Sequence, residues 1–332
     1  MSQVESVPVF LTGYPKSGTT LILSLLDGHP QLNVFPKETL FFQYAEAEIR
    51  RDRDRGLERF VERIFGAELF GLEDVLEDPV DSTDYLAELT RLWKSEGYRE
   101  SAFLFAAVEA YGRLIGTGGR RCWVEKTPHT ELHVRRLVRW YPNARVIHCN
   151  RDPRANFAAI AAWHRREGWP LDLVRFCTLL SNSWSASARN RSILPQLDLR
   201  YEDVVDDAER EMKRVCEFLQ IDFDERLLVP TLAGRPFGGN SMHEARMKGV
   251  SRSSRDRWRS SLSEIEVMDL EWLMRREMRS GGYESVSKRV PSLARRMRYR
   301  VEAIGYRIYD RLPPALLSWI RGLRGVHNAD RI

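Results

Sequence analysis

Residues 7–26, VPVFLTGYPKSGTTLILSLL, restrict the possible folds more than any other stretch of the chain. Val7, Val9, Phe10 and Leu11 form a short β-prone apolar run, the pattern of a parallel strand covered on both faces. Gly13, Pro15 and Gly18 interrupt it, and Thr19 and Thr20 open an apolar helix that ends near Asp27-Gly28. A buried strand that passes through a glycine loop into a helix N-terminus offers an anion several unpaired N–H groups and the positive end of the helix dipole. The expectation is an α/β fold, with a P-loop-like parallel sheet flanked by helices and an anion held at the end of its first strand. The plainer alternative is a glycine turn before a helix.

The 332 residues suffice for one large α/β domain with a sizeable core, and 43% hydrophobic and 30% charged residues are ordinary for a globular protein. Cys122, Cys149, Cys177 and Cys216 are widely spaced and form no CxxC pair, so neither a zinc site nor a disulfide framework is indicated, and a reducing cytoplasm fits best. No apolar run reaches the ~18 residues of a membrane-spanning helix. The N-terminus MSQVESVPVF enters the first strand without a signal-peptide pattern. The formal charge of +5 is unevenly placed: residues 286–332 carry a balance of +8 and the remainder −3. The basic character belongs to the tail, so the body gives no reason to expect a nucleic-acid partner.

The loop Gly13–Thr20 has Walker A spacing between its glycines but lacks the Gly-Lys-Ser/Thr ending, and Lys16 sits inside it. The Ser/Thr that would hold magnesium next to the lysine is therefore not in the usual arrangement, which argues against an ordinary kinase or ATPase. Its YPKSGTT segment resembles the phosphosulfate-binding loop of sulfotransferases that use 3′-phosphoadenosine 5′-phosphosulfate (PAPS) and no metal. The resemblance runs over about residues 7–280 and lies in the order and spacing of its motifs. It implies that Lys16, Ser17, Gly18, Thr19 and Thr20 hold the 5′ phosphate and that Lys16 neutralises charge on the departing oxygen.

Further along, LNVF reads as a short strand, and Glu38 follows it between Lys37 and the pair Phe41-Phe42. A carboxylate just past a strand end and beside apolar walls is suited to serve as a general base. The LDGHP and KETLFF segments resemble the acceptor-binding region of carbohydrate and protein-tyrosine sulfotransferases, which implies that Glu38 takes the acceptor proton. Residues 43–118 read as a helical insertion over the acceptor side, with Ser82 or Thr83 capping the helix DYLAELTRLWKSEGY. The strand and loop RCWVEKTPH resemble the EKxP motif, which implies Lys126 as a second cation at the sulfuryl group; His129 just after it is a second candidate acid or base, the plainer alternative being a loop or helix-capping histidine.

NRDPRANF, after the strand ARVIHCN, resembles the 3′-phosphate motif, and Arg151 is the implied phosphate ligand. Ala159 stands where the family often has a donating serine. The segment RYEDVVDDAE places Tyr201 near the adenine by the same resemblance. Lys248 and Gly249 match the basic loop that closes the cofactor site, with Met247 at its usual arginine position and Arg246 alongside; either the 3′ phosphate loses the bond of the missing serine, or Arg246, Lys248 and Arg252 together replace it.

These features describe a single domain over residues 1–285, followed by a basic amphipathic tail over 286–332. In the tail, Leu293, Met297, Val301, Ile304, Ile308 and Leu312 share one helical stripe among arginines. That stripe suits either a membrane surface or packing against the body or a second subunit. The reading is transfer of a sulfuryl group from PAPS to a hydroxyl of a carbohydrate, glycolipid or small metabolite, in the cytoplasm or peripherally at a membrane. Its rivals are a P-loop nucleotide kinase and a non-catalytic nucleotide-binding module that anchors partners through the tail.

Overall fold

The structure, a computed structural model, describes residues 6–66, 80–237, 252, 254–310 and 312. Strand β1 (Val7–Gly13) leads through the glycine loop into α1 (Thr19–Leu26), and β2 (Leu32–Val34) follows. A π-helical turn at Phe41–Ala45 opens a helical stretch made of α2 (Glu46–Arg51), α3 (Arg53–Phe65), α4 (Ser82–Ser95) and α5 (Glu100–Leu114). Next come β3 (Cys122–Lys126), α6 (Val134–Trp140), β4 (Arg145–Asn150), α7 (Pro153–Glu167) and α8 (Leu173–Asn190). Strand β5 (Gln196–Arg200), α9 (Tyr201–Asp206) and α10 (Ala208–Leu219) precede a small hairpin of β6 (Thr231–Leu232) and β7 (Arg235–Pro236). The last helices are α11 (Trp258–Ser261), α12 (Glu264–Leu273), α13 (Arg275–Ser280) and α14 (Leu293–Tyr309).

By packing, the chain divides into two units: residues 1–151 with 186–252, and residues 152–185 with 253–332. The first unit contains the sheet, ordered β2-β3-β1-β4-β5 with every pair parallel. Central strand β1 alternates across it. Val9 and Leu11 pack with Ile22, Leu25, Val124 and Ile147 on one face, while Phe10 joins Trp123, Phe103 and Leu137 on the other. Both faces are covered, which is why this strand reads as an unbroken apolar run rather than an alternating one. The parallel α/β fold expected from the sequence is the one observed.

The helices between β2 and β3 form an aromatic layer in which Phe41, Phe60 and Trp93 all pack on Phe103, with ring centroids 5.0 to 5.1 Å apart. The cap of α4 differs from expectation. Asp81, one residue before Ser82, accepts from Thr83 N at 2.7 Å and Asp84 N at 3.2 Å. A carboxylate at that position satisfies two free helix donors at once, so the hydroxyls after it are not needed as caps.

In the second unit, α7 starts at Asp152, whose side chain accepts from Arg154 N, with Pro153 in the first turn. The Arg154 guanidinium is enclosed by Asp152, Glu271 and the Trp258 ring. Helix α14 belongs to this unit, and Tyr299 is its one buried residue. No helix among the described residues is long and apolar enough to cross a membrane.

Candidate active site

Each strand of the sheet delivers chemistry at its C-terminal end, where parallel sheets bind ligands. The register places Leu11 beside Lys126, Gly13 beside Cys149 and Asn150 beside Arg200. The glycine loop, Lys126, Arg151 and Tyr201 therefore leave the sheet from the same edge.

The loop is shaped by two glycines. A Cβ at Gly13 would stand 2.5 Å from the Cys149 carbonyl oxygen, so the backbone can pass β4 only without a side chain. Gly18 has φ +106°, and a Cβ there would lie 2.4 Å from the Tyr201 ring. Lys16 adopts a left-handed conformation, φ +62°, that turns the chain between them. Cys149 Sγ donates to Ser17 O at 3.0 Å, and burial pushes that thiol well up, so it keeps its proton and stays a donor. Arg151 Nη1 donates to Lys16 O at 2.9 Å while its guanidinium lies 4.4 Å over the Tyr201 ring. Arg151 and Tyr201, far apart in sequence, thus brace the loop from one side. Ser17 Oγ is buried and has no hydrogen-bond partner among the described residues. A buried hydroxyl without a partner, in a loop opening onto a helix N-terminus, fits a phosphate oxygen.

On the other side, Lys126 Nζ lies 2.5 Å from Glu38 Oε1 and 3.5 Å from Thr20 Oγ1. The Lys126 side chain is 5% exposed and that of Glu38 19%, so this ion pair is largely withdrawn from water. The segment carrying Glu38 is tied down by its neighbours. Thr39 Oγ1 donates to Glu125 Oε1 at 2.7 Å, Thr127 Oγ1 donates to the same oxygen, and Leu40 N donates to Thr127 Oγ1 at 3.3 Å. Burial pushes the Glu125 carboxyl up, against the two hydroxyl donors, which hold it down.

His129 has a left-handed backbone, φ +68°, and packs edge-on against Tyr14 at 5.3 Å. Burial lowers its pKa, and the Glu131 carboxylate, 3.9 Å from Nδ1, opposes that shift. The imidazole is therefore neutral at neutral pH. Glu131 is itself fixed: its Oε2 lies 2.5 Å from Thr12 Oγ1 and its carbonyl accepts from Asn190 Nδ2 at 2.7 Å.

The residues singled out from the sequence therefore fall into two described groups: Lys16, Ser17, Gly18, Arg151 and Tyr201 around the loop, and Thr20, Glu38 and Lys126 in direct contact. His129 joins the loop through its backbone N–H, which donates to Gly13 O at 3.4 Å. Tyr201 is the first residue of helix α9. Arg246, Lys248 and Gly249 lie outside the described residues. Arg252 is engaged with α9, donating to Asp206 O at 2.7 Å. The sequence reading did not single out Glu125, Glu131, Thr12 or Thr39. Glu125 carries a signal nonetheless: a carboxylate that directly continues the apolar run Cys122–Val124 inside a buried strand needs donors around it.

A model of the sulfotransferase family matches residues 8–225. An uncharacterized protein of Aquifex aeolicus is 25% identical over 263 residues, covering 76% of this chain and 30% of that protein. Protein-tyrosine sulfotransferase A of Caenorhabditis elegans is 23% identical over 276 residues, covering 79% of this chain and 64% of that one. The chain thus spans less than two thirds of the length of either relative. Among solved structures, the sulfotransferase domain of the Synechococcus PCC 7002 olefin synthase has a TM-score of 0.51 at 22% identity, covering 84% of this chain and 96% of that one. The sulfotransferase domain of the curacin biosynthetic pathway has a TM-score of 0.52 at 19% identity, covering 86% and 99%. Both share this fold.

Proposed function

The chain belongs to the sulfotransferase family, and on that basis we propose that it transfers a sulfuryl group from PAPS to a hydroxyl of a carbohydrate, glycolipid or small-metabolite acceptor. The observation that supports the reading best is the position of Lys126 Nζ, in contact with both Glu38 and Thr20. A carboxylate, an ammonium and the first turn of the anion-loop helix meet there.

The donor supplies a sulfuryl group on the phosphate of an adenosine bisphosphate. Backbone N–H groups from Ser17 to Thr20 and the orphaned Ser17 hydroxyl hold its 5′ phosphate, and Arg151 holds the 3′ phosphate. Lys16 and Lys126 face the charge that builds on the bridging oxygen, and neither needs to be protonated or deprotonated during the reaction. Glu38 takes the proton of the acceptor hydroxyl. The Thr39–Glu125–Thr127 bonds keep its segment aligned with β3, so base and cation are positioned before the acceptor arrives. His129, neutral, is the second group able to accept a proton. Arg246, Lys248 and Gly249 complete the proposal as the loop closing over the bisphosphate, and Tyr201 contacts the base.

The test is release of adenosine 3′,5′-bisphosphate from PAPS across a panel of hydroxyl acceptors. We expect turnover without magnesium, lowered roughly 100- to 10,000-fold in Glu38→Gln, the range a positioned general base supplies. Full activity in that variant would remove Glu38 from its role, and magnesium-dependent phosphoryl transfer from ATP would replace the reading with the kinase.

A further inference from the structure

Helix α14 is oriented the opposite way from a helix that caps a globular unit. A surface helix ordinarily turns its apolar stripe inward and its charges outward. Here the inward contacts are polar and aromatic. Tyr299 is 4% exposed, Arg295 Nη2 lies 2.6 Å from Asp269 Oδ2, and Arg175, which lies 5.3 Å from the Tyr306 ring, pairs with Asp310 at 2.5 Å. Arg295 also donates to the Tyr299 hydroxyl at 2.6 Å. All these partners lie within the second unit.

The apolar stripe is turned away from these contacts. Leu293, Met297, Val301, Ile304 and Ile308 are 68%, 50%, 67%, 54% and 58% exposed. At 3.6 residues per turn they fall within about 80° of one another, roughly 180° from the face carrying Arg295, Tyr299 and Tyr306. Arg300 and Arg307, both exposed, border the stripe along one side. The sequence beyond, ALLSWIRGLRGV, again combines aliphatic residues with arginines and adds one tryptophan, and residues 286–332 carry a balance of +8.

We propose that this face of α14 docks on the surface of an anionic lipid bilayer. Five aliphatic side chains in a row match the acyl boundary, and the bordering arginines match a negative headgroup layer. A positive border along the apolar stripe favours this partner over an antiparallel second copy of α14, whose arginines would meet their own kind. The Asp269, Arg175 and Trp272 contacts leave the docking face presented on a helix already held by its other side.

The experiment is co-sedimentation of the full chain with vesicles of phosphatidylcholine alone and of phosphatidylcholine mixed with phosphatidylglycerol, combined with light scattering without vesicles. The expected result is binding to the mixed vesicles, weakened by salt and lost in Ile304→Asp/Ile308→Asp. Binding should also be reduced at least roughly thirtyfold in Arg300→Glu/Arg307→Glu. Since all four side chains are exposed, both variants should keep the wild-type melting profile. No sedimentation with mixed vesicles, or sedimentation unchanged in both variants, would overturn the proposal. So would a concentration-dependent dimer that Ile304→Asp/Ile308→Asp dissociates while vesicle binding is absent, because the face would then join two copies of the chain.

Discussion

Replacing Gly18 with alanine addresses the geometry of the anion loop directly. Two separate costs follow from the structure. At φ +106° an L-residue is strained, at about 1–3 kcal/mol. The new Cβ would also stand 2.4 Å from Tyr201 Cδ2 and 3.2 Å from its neighbouring ring carbons, an overpacking cost of about 1–3 kcal/mol. Gly18→Ala should therefore lose about 2–6 kcal/mol in urea unfolding. The two parts separate in a double-mutant cycle. With Tyr201→Ala as background the ring is gone, and Gly18→Ala should cost only the conformational part. Affinity for adenosine 3′,5′-bisphosphate gives a second readout. Pushing the Tyr201 ring away also moves the Arg151 guanidinium stacked 4.4 Å from it, so the single variant should bind the bisphosphate more weakly than its stability loss alone implies. The same cost in both backgrounds would mean that Tyr201 does not pack on the loop, and a cost below about 0.5 kcal/mol would refute the strained loop altogether.

Three further outcomes are expected. Glu125→Ala, which strands the Thr39 and Thr127 hydroxyls, should cost about 3–5 kcal/mol and lower turnover by loosening the Glu38 segment, whereas Glu125→Gln, a neutral isostere, should cost far less; equal costs in urea unfolding would contradict the arrangement. His129 and His148 have pKa values lowered by burial, so the unfolded chain takes up protons the folded one refuses. Stability should be complete above pH ~6.5 and fall as pH drops below it, by about 1.4 kcal/mol per pH unit for each histidine kept neutral; a flat urea-midpoint profile from about pH 8 to about pH 5.5 would contradict this. Asp81→Ala should cost about 1 kcal/mol of stability, and Ser82→Ala should cost less, because Asp81 caps α4; the reverse order would restore Ser82 as the cap.

The parts of this site carried by contiguous residues could be read from the sequence. The run Val7–Leu11, the glycines at 13 and 18 and the helix after them declare themselves locally, because each step of strand, turn and helix uses a different residue chemistry. Glu38 and Lys126 were found as separate candidates. Their contact was not readable, since nothing in either segment states that β2 and β3 lie side by side. Thr12 and Glu131, 119 residues apart, illustrate the same limit: a threonine inside a strand has no local mark of the carboxylate it meets. At α4 the local signal points to Ser82 or Thr83, one or two residues past the observed cap Asp81, because hydroxyl and carboxylate caps both satisfy the pattern. In α14 the periodicity gave the apolar stripe but not its direction, which is decided by the pairing of Arg295 with Asp269 and of Asp310 with Arg175.

The most direct measurement is calorimetric titration of the full chain with adenosine 3′,5′-bisphosphate, and with ATP and AMP, each with and without magnesium. The account predicts tight binding of the bisphosphate that magnesium does not change and that Arg151→Ala or Ser17→Ala weakens, with ATP and AMP binding far less well. Preference for magnesium-ATP, or bisphosphate binding indifferent to both variants, would contradict it.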